Sequence, residues 1–399
     1  MPDRRMLLAT SARLALLAPF ARIARALPNP DARFVLVILR GGLDGLAAVP
    51  PYGEPRYRSL RGAIAVDAPG TDGGALELDG LFGLHPSLAG LHALYAQREL
   101  AVLHAVATPY RERSHFDAQK VLEAGLAKPA AAAGGWLNRA LVELAKTHDE
   151  RAAIALAESV PLVLRGEFGV NAWAPSHLPD ADADTLARVR RLYEATDPAL
   201  ARRLSDALAA REIAGDAGVG SGRMGGAGGG QVAPLATAAA RFLKSDDGPR
   251  IAVLDVGGWD THANQGAGAG SLAQRLRALD AGLQTFKTEL GVAWRETCVL
   301  VVTEFGRTVA VNGTRGTDHG TAGCAFLAGG AVAGGRVISD WPGLAASDLR
   351  EGRDLRATTD LRAVFKGVLA ERFGIAEPAL GRAVFPESES IAPLPQLFA

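Results

Sequence analysis

Five apolar runs rich in β-branched residues punctuate the chain: "RFVLVILR" (33–40), "LAVLHAV" (100–106), "IAVLDV" (251–256), "TCVLVVTE" (297–304) and "AFLAGGAV" (325–332). None alternates apolar with polar at period two, the pattern expected of strands covered on both faces. Helical spacing of apolar positions marks 86–97, 116–127, 271–290 and 358–374. Strand and helix in alternation predict an α/β fold, a mainly parallel central sheet with helices on both faces. "VPLVLRG" (160–166) is a candidate for one more strand. The stretch 128–248 reads as a largely helical insertion in one domain spanning 27–399. Within it, "AGDAGVGSGRMGGAGGGQVAP" (214–234) reads as a flexible loop. No buried strand leads into those glycines and no GK[ST] follows, which argues against a phosphate loop.

Composition narrows the class. With 399 residues, 48% hydrophobic and 22% charged, the chain can bury a large core. Its 43 basic and 43 acidic residues cancel, which removes the electrostatic case for nucleic acid or an anionic membrane surface. Cys298 and Cys324 lie in apolar stretches and read as small core residues, not as metal ligands. At the start, Arg4 and Arg5 precede a weakly apolar stretch broken by Arg13, and Ala24 and Ala26 form an A-x-A cleavage site. A spanning helix needs about 20 nearly uncharged apolar residues, which this stretch lacks. Residues 1–26 therefore read as a twin-arginine export signal. That implies passage through the twin-arginine translocase, a periplasmic or otherwise exported location, and no membrane span in the mature chain. An amphipathic N-terminal helix is the plainer alternative.

Chemistry collects where the predicted strands end, the usual ligand rim of a parallel α/β sheet. The first strand is followed by "GGLDG" with Asp44, the second by "ATPYRERSHFD" with Arg111, Arg113, Ser114 and His115. "GGWDTHANQ" after the third brings Asp260 and His262. "TEFGRT" after the fourth brings Glu304 and Arg307, and "NGTRGTDHGTAG" beyond it Asp318 and His319. Carboxylates with imidazoles and no thiolate suit a divalent ion such as Zn²⁺ or Mn²⁺, one or two per chain. Two such ions could clamp both oxygens of a phosphoryl or sulfuryl transfer. Ser114, before a helix, is placed as a nucleophile or as an N-cap. Arg111, Arg113 and Arg307 are candidates for holding an oxyanion. Duller readings stand beside these. Asp44 could make only a turn, "TDHG" only an Asx-turn, and Glu304 only an ion pair with Arg307. His85 before Pro86 reads as structural, and His92, His104, His148 and His177 as packing or surface. Asp260 and His262, two apart in extended chain, share a face and point most clearly to a site.

"FVLVILRGGLDGL", "RSHFDAQ", "GGWDTHANQ", "TEFGRT" and "GTDHGTAGCAFLAGG", in that order, resemble the bacterial exported family catalogued as domain of unknown function 1501. That family in turn resembles the alkaline phosphatase and sulfatase superfamily of metal-dependent α/β hydrolases. The resemblance implies Asp44 as a first-strand metal ligand and Asp260 with His262 as an Asp/His ligand pair. It implies Asp318 and His319, or His319 alone, as a later ligand element, and Ser114 near the nucleophile position. "TEFG" departs from the superfamily pattern, offering Glu304 and Phe305 where adjacent Asp and His are frequent.

The expectation is an exported metal-dependent hydrolase of small anionic phosphate or sulfate esters. Its catalytic set is Ser114, His115, Arg113 and Arg307; its metal set is Asp44, Asp260, His262, Glu304, Asp318 and His319. The alternative is a catalytically degenerate periplasmic binding or assembly protein of the same fold. A metal-free serine hydrolase built on Ser114 and His115 lacks the G-x-S-x-G elbow such enzymes use.

Overall fold

The structure is a computed structural model, and it describes residues 29–130, 134–146, 153–175, 181–215, 232–245 and 248–399. The expected export signal, His148, His177 and most of the glycine-rich loop lie outside the described residues.

Among the described residues, nine strands form one sheet: β1 (Arg33–Leu39), β2 (Leu100–Ala107), β3 (Ala153–Leu156), β4 (Asn171–Trp173), β5 (Ile251–Val256), β6 (Thr297–Thr303), β7 (Gly323–Ala328), β8 (Arg336–Ile338) and β9 (Thr359–Asp360). Their order is β8-β2-β7-β6-β1-β5-β3-β4, with β9 beside the end of β2. Every pairing is parallel except those of β7, which runs antiparallel to both β6 and β2. Because β7 is reversed, the segment leading into it lies on the rim where β1, β2, β5 and β6 end. His319 thus reaches the same rim as Asp260 by approaching a strand rather than leaving one.

The helices are α1 (Ala89–Ala96), α2 (His115–Ala124), α3 (Trp136–Ala145), α4 (Ala183–Thr196), α5 (Pro198–Ala214), α6 (Val232–Lys244), α7 (Ser271–Leu290) and α8 (Leu361–Phe373). Successive residues of β1 enter different cores, as a doubly covered strand requires. Val35, Val37 and Leu39 pack beneath α1, α6 and α7, whereas Phe34, Leu36 and Ile38 pack beneath α3 and α8. Among the described residues, no helix is long and apolar enough to cross a membrane.

The stretch 128–248 contributes helices α3–α6 and also β3 and β4, which extend one side of the sheet. The strand expected at 160–166 is instead a turn of 3-10 helix, Leu162–Leu164, following Pro161. Its polar backbone is answered by side chains rather than by a ladder. Val163 N–H donates to Glu123 Oε2 (3.1 Å), and Leu164 C=O accepts from Asn138 Nδ2 (2.8 Å). With those groups satisfied, Val163 and Leu164 can enter the core without a strand partner.

Candidate metal centre

Asp260 stands where three imidazoles converge. Its Oδ1 lies 2.9 Å from His262 Nε2 and 3.3 Å from His319 Nε2, and its Oδ2 lies 3.5 Å from His115 Nε2. The ligand atoms of His115, Asp260 and His319 all fall within 4.8 Å of one another. Each of these three comes from a different rim segment: the start of α2, the loop after β5, and the approach to β7.

The tautomers of two rings are set from behind. His115 Nδ1 donates to Glu304 Oε1 at 2.8 Å, and His319 Nδ1 donates to the Arg113 carbonyl at 2.9 Å. A proton on Nδ1 leaves Nε2 with a lone pair facing the cluster, the arrangement that metal-bound histidines use. His115 Nε2 is sealed from solvent yet has no hydrogen-bond partner. An acceptor left in that state carries a desolvation cost that a cation would relieve.

Glu304 is fully buried. It accepts from Gly41 N–H (2.8 Å), Gly42 N–H (3.3 Å), Gln119 Nε2 (3.0 Å) and Thr303 Oγ1 (2.9 Å), besides His115. Burial by itself would raise its pKa, but the bonds from His115 and Gln119 hold the carboxyl below the usual range. In return the Glu304 carboxylate raises His115, while burial lowers His319. Burial also works to raise Asp260; Arg307 outweighs it and keeps the carboxyl ionised below the usual range. Gly41 permits this closeness, because a Cβ there would sit 2.5 Å from Asp260 N, and its φ of +123° suits glycine alone.

The chain matches, over residues 31–384, the family described as "Protein of unknown function (DUF1501)". It belongs to that family. No curated protein matches it in sequence. Among solved structures, it is similar to the phosphonate monoester hydrolase of Agrobacterium radiobacter (15% identity, 86% of this chain and 74% of that one, TM-score 0.36). It is also similar to the C-terminal periplasmic domain of EcEptC from Escherichia coli, a complex with Zn (10% identity, 75% of each chain, TM-score 0.35). A third is the PsFucS1 sulfatase from Pseudoalteromonas sp. (15% identity, 84% and 68%, TM-score 0.33). Scores this low transfer no chemistry, so the function of this DUF1501 chain is argued from its own site.

The rim assembles most of the residues expected from the sequence, with altered roles. Glu304 does not pair with Arg307; it stands behind His115. Arg307 is buried with every guanidinium nitrogen engaged, on Asp260 Oδ1, Gly41 O, Thr317 O and Thr317 Oγ1. Arg113 holds Asp354 (2.7 Å) and Glu351 (2.6 Å), and Arg111 turns onto the carbonyls of Thr108 and Tyr110. Arg307 is thus spent wholly on the frame, Arg113 is held by two carboxylates through Nε and Nη2, and Arg111 is tied through Nη1. Asp318 is exposed, accepts from Asn312 Nδ2 at 3.0 Å, and lies 3.6 Å from His262 Nδ1. Ser114 occupies the N-cap position of α2 without a side-chain cap bond.

Asp44 is placed apart from the cluster. It is 1% exposed, ion-paired with the fully buried Arg61, and bonded to Gln265 Nε2 at 2.7 Å and Ala47 N–H at 3.3 Å. Gln265 continues inward: its Oε1 accepts from Thr261 Oγ1 (2.8 Å) and Thr317 Oγ1 (3.2 Å), and Thr317 meets Arg307. Asp44 thus supports the Asp260 loop through a buried polar chain. Gln119, Gln265, Thr317 and Arg61 were absent from the expected set. Gln119 stood four residues after His115 on one helix, and Gln265 and Thr317 stood inside the polar loops "GGWDTHANQ" and "NGTRGTDHGTAG"; Arg61 carried no signal. His85 is structural, with Nε2 against Ala267 O at 2.8 Å and Nδ1 taking Ser87 N–H.

Proposed function

We propose that this DUF1501 chain is an exported hydrolase of phosphate or sulfate esters that depends on one divalent metal ion. The observation that carries the reading is the sealed, unpartnered His115 Nε2 facing Asp260 and His319, whose donor types fit Zn²⁺ or Mn²⁺. His115, Asp260 and His319 would hold the ion. Such an ion supplies a Lewis acid for the ester's phosphoryl or sulfuryl oxygen. The chain's own residues do the rest. Glu304 and the Arg113 carbonyl keep both Nε2 lone pairs turned inward, and Arg307 fixes Asp260. His262, half exposed, turns Nε2 inward to Asp260 Oδ1 at 2.9 Å and helps hold that carboxylate in place. Ser114 stands next to His115 in the chain, free of a capping duty; its Oγ would attack the ester phosphorus or sulfur while the bond to the alcohol oxygen breaks, the hydroxyl proton ending on the departing alcohol.

Metal analysis of the purified protein, with turnover of 4-nitrophenyl phosphate and sulfate, tests this. The expected result is about one ion per chain and turnover that chelation abolishes and Asp260→Asn reduces at least roughly 100-fold. Ser114→Ala should cost as much in turnover while leaving stability within about 0.5 kcal/mol, since no cap bond is lost. Failure to retain Zn²⁺ or Mn²⁺ would overturn the reading. The second reading, a non-catalytic binding or assembly protein, draws on Arg113 and Arg307 being tied to carboxylates. It predicts bound metal with no ester turnover. The export reading rests on Arg4, Arg5 and the Ala24–Ala26 site, and is checked by the mature N-terminus in the periplasmic fraction.

A further inference from the structure

A cleft of about 690 Å³ opens on the same rim, above the ends of β1, β5 and β3. It shares a wall with the metal centre. Phe116, Gln119, Lys120 and Glu123 line it at the i, i+3, i+4 and i+7 positions of α2, while His115 on the same helix turns to the cluster. Gln119 belongs to both, because its Nε2 donates to the Glu304 carboxylate that holds His115. The volume falls within the range of about 300–1,000 Å³ usual for organic ligands.

We infer that this cleft binds a neutral polyhydroxylated group, a sugar ring or short saccharide, carried by the molecule whose anionic ester meets the metal centre. Its charges exclude the other classes. The lining holds Arg40, Lys120 and Arg165 against Glu123, Asp255 and Glu158, so the signs cancel. On the floor Arg40 donates Nε to Asp255 (2.6 Å) and Nη1 to Glu123 (2.9 Å), leaving two carboxylates to one guanidinium. A second anionic group would meet those carboxylates, and a cation would compete with Arg40. A hydrocarbon or plain aryl group would strip water from Arg40 and Asp255, each about a quarter exposed, and return no hydrogen bond. Hydroxyls answer both signs, donating to carboxylates and accepting from guanidinium and ammonium. At the mouth Phe116 is 82% exposed, a flat apolar face that the fold itself does not use. Leu156, Pro161 and Leu162 continue that apolar surface inside. A sugar has this same division, hydroxyls at its edge and C–H groups on its face, and covering Phe116 removes apolar area from water.

Only the ester end of this assignment rests on the hydrolase reading, so binding and turnover are tested separately. Saturation-transfer NMR on the chelated protein, with cellobiose and N,N′-diacetylchitobiose as probes, should show transfer to sugar protons. Affinity should fall roughly five- to tenfold in Phe116→Ala, return in Phe116→Trp, and stay unchanged in Val292→Ala, a control at an equally exposed apolar site. The metal-loaded protein should turn over glucose 6-sulfate or glucose 6-phosphate faster than the methyl ester, and Phe116→Ala should shrink that ratio. Sugar binding without turnover keeps the cleft and removes the hydrolase reading. Turnover with no sugar signal, and with a ratio that Phe116→Ala leaves unchanged, overturns the cleft assignment alone. The absence of any saccharide signal at millimolar sugar likewise overturns it.

Discussion

His262 Nε2 lies 3.0 Å from His319 Nε2, and both atoms face Asp260 Oδ1. Two imidazole nitrogens hold that separation only with a proton or a cation between or beside them. Because Nδ1 of His319 is committed to the Arg113 carbonyl, the free position on that ring is the inward one.

Metal affinity should therefore depend on pH with a defined sign. Burial keeps His319 neutral, while Glu304 raises His115, so His115 still holds a proton above the ordinary histidine value near 6.5. Zn²⁺ affinity should rise with pH through that window, by about tenfold per unit for one competing proton, and then level off. The chelated protein should move the other way. The raised His115 contributes stability that is full below the unfolded value and lost as pH rises through the folded one. Indicator competition for zinc between pH 6 and 8.5, beside thermal unfolding of the chelated form, checks both. A flat affinity would count against metal binding through His115.

Glu304→Gln should weaken zinc binding about 10- to 100-fold, the usual effect of losing the group behind a histidine ligand. The amide has one acceptor where the carboxylate serves Gly41, Gly42, His115, Gln119 and Thr303. Stability should fall as well, by roughly 1–3 kcal/mol, as buried donors lose their partner. Competition against a chelator of known strength reads the first effect and urea unfolding the second. Unchanged zinc affinity would mean Glu304 serves only the fold.

The rim was legible because apolar strands end abruptly in charged loops, and parallel topology brings those ends together. His115, Asp260 and Glu304 follow from that rule, whereas His319 joins them only because β7 runs antiparallel. What pairs with each carboxylate was not legible. Nothing local distinguishes Arg61 from Arg56 or Arg58, yet the fold carries Arg61 alone into full burial beside Asp44. Likewise "TEFGRT" offered Arg307 only an oxyanion or Glu304 as partner, since Thr317 and Gly41 reach it only through tertiary structure. The missed strands β3, β4, β8 and β9 have two to four residues, too few for periodicity to register. Pro161 hid the 3-10 turn inside an apolar run that imitates a strand.

Arg307→Lys should act on the frame before it acts on substrate. The fully buried guanidinium reaches Asp260, Gly41 and two atoms of Thr317, a spread that one ammonium cannot reproduce. Stability should drop by roughly 2–4 kcal/mol and zinc affinity should fall with it, leaving Asp260 less well held. If Arg307 gripped the substrate oxyanion instead, KM would rise while stability and metal content stayed near the parent. Parallel urea titrations and metal analysis separate the two outcomes.

His104 predicts an acid weakness of the fold that is independent of the rim. It is wholly buried, and burial pushes its pKa down to about 4. Both ring nitrogens are already used: Nε2 donates to Val49 O at 3.1 Å, and Nδ1 accepts Ala105 N–H at 2.8 Å. A second proton would have to sit on Nδ1, against that N–H. The unfolded chain takes up this proton near pH 6.5 and the folded chain only near 4. The contribution is thus intact above 6.5 and lost as pH falls through the interval, to about 3 kcal/mol in total. His104→Gln should start lower at pH 7, because it gives up the stack on Phe82, whose ring centroid lies 5.1 Å away. Its stability should then decline less steeply with acid, by close to one proton in slope. Unfolding free energies measured in urea from pH 7 to 4 give both slopes. Equal slopes would place the proton uptake elsewhere, since no other titratable group separates the two proteins.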